Sequence, residues 1–281
     1  MEDLCLYKNY SGVKLSLENG ENSNLAECLR IACRGRTNLN LIKLLVDHGA
    51  DPSMKERSYT ALSVFLRHGH SDHPEGKRII DYLRKQGCEL ISGDCTLACE
   101  GNLAMETKIY VLKMGASLGI GINSYRNHMT PFHAFLFNHP TLEDLKRATE
   151  ECRPNFDILF LGQTVIDIVC DGPPDILEYV VERCSEETRM RFSMTSWFPD
   201  KIVTFLNNLS YSRPHTLDLM RCVNVNAKNI YGNTIFYLVC DRVSSEAMEF
   251  LIELGADLDD VDCFGISAVC KMLKARRIPP I

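Results

Sequence analysis

The chain has 281 residues, 45% of them hydrophobic and 24% charged, with a net charge of −6. That composition excludes a disordered chain, and the acidic balance works against non-specific binding to nucleic acid or to an anionic membrane. No apolar run approaches the roughly 18 residues of a membrane span.

Residues 1–22 read as an N-terminal segment. The stretch MEDLCLYKNYSGVKLSLENG is polar and lacks the apolar centre of a secretory leader. From residue 23 to 281 the chain reads as an array of similar units, the last of them incomplete. Short apolar helices start near Glu27 in AECLRIAC, Thr60 in YTALSVFL, Asp94 in GDCTLACEGNL and Thr130 in MTPFHAFL. Further starts follow at Thr164 in QTVIDIVC, Phe198 in SWFPDKIVTFL, Thr234 in NTIFYLVC and Ser267 in ISAVCKML. The spacings are 33, 34, 36, 34, 34, 36 and 33 residues, the mark of a structural repeat.

Each unit also carries a second apolar stripe at helical spacing, as in NLIKLLVDHGAD, GKRIIDYLRKQGCE, DILEYVVERC and AMEFLIELGAD. Gly49, Gly87, Gly115 and Gly255 follow four of these stripes, where a left-handed residue ends a helix at low steric cost. The unit is therefore helix, tight turn, helix, glycine cap and extended loop. About eight such units predict an all-α solenoid of about fourteen to sixteen helices with no substantial sheet.

These units resemble the ankyrin repeat, whose signature is G-x-T-P-L-H at the first helix and L-L-x-x-G-A-D after the second. HMTPFHAF (128–135) and KLLVDHGADP (43–52) match it best, then YGNTIFYL and FLIELGADL, and the resemblance spans about residues 23–273. In the motif, Thr caps the first helix and His ties neighbouring loops together. Only His133 fills the histidine place; Ser63, Asp167 and Tyr237 stand there in other units. The degenerate units, irregular connections and many cysteines also resemble the ankyrin proteins of poxviruses, most closely in RNHMTPFHAFLFNHPTLEDLKR. That resemblance implies a chain that interferes with host antiviral signalling. Many such proteins add a C-terminal F-box-like segment that recruits a ubiquitin ligase. None is read in the stretch ending KMLKARRIPPI, so the adaptor role is not carried over.

Thirteen cysteines, an odd number behind no leader, favour free thiols in a reducing compartment: the cytoplasm, with the nucleus also open. Cys33, Cys99, Cys170 and Cys240 recur near the ends of first helices, and no C-x-x-C pair exists. Core packing is therefore the expected role. RHGHSDH is the sharper case. His68, His70 and His73, with Asp72, offer metal ligands from one loop, or they form a solvated insertion between two helices. GASLGIGIN fits no phosphate-binding loop, and no G-x-S-x-G occurs, so neither an enzyme nor a cofactor is expected.

Stacking occupies the helix faces and leaves loop tips and the inner helix surface for partners. The tips are Lys55, Glu56 and Arg57; Tyr125, Arg126 and Asn127; Asn229, Ile230 and Tyr231; and Asp262, Cys263 and Phe264. The candidate partner-binding residues are Ile230, Tyr231, Cys263 and Phe264 on adjacent apolar tips, with Arg126, Arg57 and Lys55 on polar ones. Neighbouring apolar groups at an edge point to a contact site or to packing against each other. The expected function is a non-catalytic protein–protein interaction module that binds host protein and modulates antiviral or inflammatory signalling, without nucleic acid or membrane. A cellular ankyrin scaffold and a metalloprotein using His68–His73 are the alternatives.

Overall fold

The computed structural model describes residues 1–21, 24–56, 59–71, 74–120, 122–123, 129–192, 199–208, 214–229, 231–262 and 264–275. Among these residues the fold is all-α, with eighteen helices and one two-stranded sheet. No helix among them is long and apolar enough to cross a membrane. The chain divides into two compact units, Met1–Asn155 and Phe156–Ile281.

The first unit holds α1 (Glu2–Leu6), α2 (Tyr10–Glu18), α3 (Leu25–Ala32), α4 (Leu39–Asp47) and α5 (Ala61–His68). It continues with α6 (Glu75–Lys85), α7 (Ser92–Glu100), α8 (Met105–Ser117), α9 (Pro131–Leu136) and α10 (Leu142–Cys152). The odd-numbered helices stack in one row, α1 on α3 and so on to α9, and the even-numbered helices stack in a second. This arrangement explains the two kinds of apolar run. Helix α5 lies between α3 and α7 and buries every residue from Ala61 to Leu66. Helix α6 buries only Gly76, Ile79, Ile80 and Leu83, a stripe at helical spacing. Each fully buried aliphatic side chain of that stripe contributes about 1.5–3 kcal/mol.

Helices α1 and α2 lie in residues 1–22, ahead of the signature-bearing units. They bury Cys5, Val13 and Leu17, and they pack on α3 and α4 as later pairs pack on theirs. Lys8 Nζ, in the turn between them, donates to the carbonyls of Ile31 and Ala32 at 2.8 and 2.9 Å. A cation there satisfies carbonyls left open at the end of α3. With these two helices and a short extra one in the second unit, the count exceeds the fourteen to sixteen expected.

Thr60, Thr130, Thr164 and Thr234 cap first helices as expected, each hydroxyl accepting the N–H three residues on. Ser267 does the same for Cys270. The other two described starts differ. Helix α3 begins at Leu25 and α7 at Ser92, so Glu27 and Asp94 stand inside the first turn. Asp94 instead reaches back to accept the Ile91 N–H at 3.0 Å, closing the turn from within. Phe198 lies outside the described residues.

Gly49, Gly87 and Gly255 follow their helices with φ of 98°, 94° and 86°. Gly115 does not: α8 continues through it to Ser117, and Gly119 takes the left-handed position at φ 71°. A Cβ on Gly115 would stand 2.5 Å from the Cys95 sulfur and 3.1 Å from the Ile120 carbonyl. The glycine thus serves close approach of α8 to α7 rather than chain reversal.

The one sheet pairs β1 (Gly35–Arg36) with β2 (Gly69–His70) in parallel, Gly35 opposite Gly69. The expected polar insertion at 68–73 is therefore not a plain loop: His68 ends α5 and His70 belongs to β2.

The second unit holds α11 (Val165–Val169), α12 (Pro174–Arg183), α13 (Glu186–Arg191), α14 (Pro199–Asn208), α15 (Pro214–Cys222), α16 (Ile235–Val239), α17 (Ser245–Glu253) and α18 (Ala268–Ala275). Helix α12 packs on α11 and α15, and α16 packs on both α14 and α18.

Candidate partner-binding surface

Two successive tips of the second unit are built alike. Asn229 Oδ1 accepts from the backbone N–H groups of Tyr231 and Asn233 at 2.9 and 3.0 Å. Asp262 Oδ1 accepts from those of Phe264 and Ile266, both at 2.9 Å. The Asn229 N–H donates to the Asn233 carbonyl, as the Asp262 N–H does to that of Ile266. Gly232 and Gly265 then turn the chain with φ of 78° and 74°. Asn and Asp favour this geometry because their short side chains satisfy the backbone of a tight turn. The loop closes beneath the residue at its crest, and that residue is aromatic in both cases. Tyr231 is 69% exposed and Phe264 is 83% exposed.

Side chains lash the two tips together. Lys228 Nζ meets Asp260 Oδ1 at 2.6 Å. Asn226 donates to the Gly255 carbonyl and accepts from the Asp257 N–H, each at 2.8 Å. The Tyr237 hydroxyl donates to Asp262 Oδ2 at 2.6 Å. That hydroxyl, with the Ile266 N–H next, holds the Asp262 carboxyl below its ordinary pKa. Tyr237 occupies the histidine place of its unit. His133, in that place in the first unit, is fully buried with Nδ1 2.6 Å from the Thr130 hydroxyl. Asp167 there accepts from both the N–H and the hydroxyl of Thr164 at 2.8 Å, and Ser63 lies 3.2 Å from the Thr60 hydroxyl. One position thus serves first-turn capping in three units and inter-loop bonding in the fourth.

Of the other named contact residues, Lys55 is exposed. It precedes a tight hairpin in which Glu56 and Tyr59 exchange backbone hydrogen bonds at 3.0 and 2.9 Å. Ile230, Cys263, Arg126 and Arg57 lie outside the described residues. Cys33, Cys99, Cys170 and Cys240 are all buried.

His68 and His70 of RHGHSDH line different clefts. His68 lines a cleft of about 370 Å³ with Arg30, Arg34 and Arg67. His70 lines a separate cleft with Arg36, Thr37 and Glu75. Burial first, then the charges of Arg67 and Arg34, lowers the His68 pKa. His73 lies outside the described residues. Among those described, no group of three His, Cys, Asp or Glu side chains is placed to hold a metal. The arginine cleft is hard to read from the sequence because its members come from three separate segments. The clue was present in part: Arg34 and Arg67 stand 33 residues apart, one repeat.

No protein-family model matches the chain, and no curated protein matches its sequence.

Proposed function

We propose that the chain is a non-catalytic protein–protein interaction module, an ankyrin-repeat array that binds a host signalling protein through its Tyr231 and Phe264 tips. On this reading it is a viral modulator of antiviral or inflammatory signalling, acting in the cytoplasm of the host cell. The ankyrin assignment draws support from the two stacked rows of helices in the first unit and from the threonine caps. The viral assignment rests on the resemblance of RNHMTPFHAFLFNHPTLEDLKR to poxvirus ankyrin proteins.

The observation that carries the binding role is the repeated tip. Two exposed aromatic side chains sit at matching crests of loops joined by an ion pair and three hydrogen bonds. Rigid loops lose little entropy on binding. Burying a large apolar side chain that was exposed is worth about 1.5–3 kcal/mol, and aromatic anchors dominate binding energetics. Loss of both rings should cost more than ~1.4 kcal/mol, a tenfold weakening.

The test is affinity purification of tagged wild type from transfected or infected cells, with mass spectrometry, beside Tyr231→Ala plus Phe264→Ala. Lys55→Ala plus Arg57→Ala serves as control. The reading requires a host protein that the aromatic variant loses and the control keeps. A partner kept by the aromatic variant and lost by the control would contradict it.

A further inference from the structure

We infer that the cleft between α3 and α5 in the first unit is a docking site for an acidic peptide segment, whose carboxylates meet Arg34 and Arg67. The cleft measures about 370 Å³ and is lined by three arginines against two glutamates. Arg30 is spoken for. Its guanidinium is nearly buried and bonds Glu27 and Glu56, each at 2.6 Å. That cluster fixes the cleft floor and leaves Glu56, from the neighbouring hairpin, tied to α3.

Arg34 and Arg67 are different. Both are exposed at the rim, and neither side chain makes a hydrogen bond or ion pair among the described residues. The register that sets Gly35 opposite Gly69 brings Arg34 level with His68, the residue after Arg67. Two guanidinium groups with no partner among the described residues therefore line one concavity, in a protein whose net charge is −6. Burial lowers the His68 pKa most, and the charges of Arg67 and Arg34 lower it further. Guanidinium forks match carboxylates in paired hydrogen bonds, and a concave low-dielectric wall strengthens the attraction. Val64 and the half-buried Tyr59 ring add apolar surface for the methylene stems of the incoming side chains.

The floor argues for a peptide over a nucleic acid. Glu27 and Glu56 line the same cleft and would repel a closely spaced run of phosphates. Alternate side chains of an extended peptide lie ~7 Å apart, so carboxylates can meet the arginines while the backbone passes the glutamates. The inference rests on the interaction-module reading only in taking a peptide as occupant. It does not involve the Tyr231 and Phe264 tips.

Fluorescence anisotropy on the full chain tests it, with a short fluorescein-labelled peptide of alternating Glu and Ser at low ionic strength. The same peptide with Gln for Glu, and a single-stranded DNA of equal charge, are the comparisons. The Glu peptide should bind and the Gln peptide should not. Arg34→Gln plus Arg67→Gln should weaken binding at least about tenfold without lowering the melting temperature, because both side chains are exposed and unpaired. Tyr231→Ala plus Phe264→Ala should leave peptide binding unchanged, which separates this cleft from the tips. No binding of the Glu peptide, equal binding of the Gln peptide, full binding by the arginine variant, or tighter binding of the DNA would each overturn the inference.

Discussion

Gly115→Ala gives a test whose sign separates two accounts of one residue. In the middle of an ordinary exposed helix, replacing glycine with alanine stabilises by about 1 kcal/mol, because alanine loses less backbone entropy on folding. At Gly115 the added methyl would stand 2.5 Å from the sulfur of Cys95 and 3.1 Å from the Ile120 carbonyl. Ordinary contacts begin near 3.4 Å, so the sulfur would have to move by almost an ångström. Cys95 is buried in α7, and the carbonyl is backbone, so neither yields easily. Overpacking of a dense core costs about 1–3 kcal/mol. The upper part of that range applies here, and subtracting the helical gain leaves a net loss of about 1–2 kcal/mol. Urea denaturation followed by circular dichroism should show a lower midpoint at unchanged slope. Adding Cys95→Ala removes the sulfur and should recover part of the loss, giving a coupling of about 1 kcal/mol between the two sites. If Gly115→Ala instead raises the midpoint, the close approach of α8 to α7 is wrong.

Ten of the twelve cysteines among the described residues are buried, and burial pushes the thiols of Cys5, Cys33, Cys95 and Cys184 up to about 12. Under native conditions an aromatic disulfide reagent should therefore label the exposed Cys270 quickly and these four slowly, while denaturant should release all thirteen thiols; fast native labelling of Cys33 would contradict this. Thr164→Ala, at a buried cap, should cost about 1–2 kcal/mol by denaturant titration, and Thr141→Ala, at the exposed cap of α10, about half as much; the reverse order would contradict the burial argument. Elemental analysis should find no stoichiometric zinc, since His68 and His70 line different clefts; one equivalent that disappears in His70→Ala would overturn that placement.

Local chemistry is what the sequence reveals most directly. Thr60, Thr130, Thr164 and Thr234 could be read as caps because a cap is decided within four residues. The aromatic tips were readable for the same reason, each standing three residues before its Thr234 or Ser267 start. Features that depend on a neighbour were not. Helices α1 and α2 carry no signature, and their place is set by packing on α3 and α4. Gly115 follows the same pattern as Gly49, yet contact with Cys95 decides its role. Lys8, Lys108 and Lys271 look like surface lysines, but their nitrogens bind carbonyls at the ends of α3, α7 and α16. The arginine cleft needs α3, the 56–59 hairpin and α5 assembled before it exists.

The central claim is that the repeated aromatic tips are where a partner binds. Hydrogen–deuterium exchange on the chain alone and in complex with its captured partner tests this most directly. The account predicts slowed exchange over residues 226–234 and 257–267, lost when Tyr231 and Phe264 are both replaced by alanine. Unchanged exchange across both tips while the partner stays bound would contradict it.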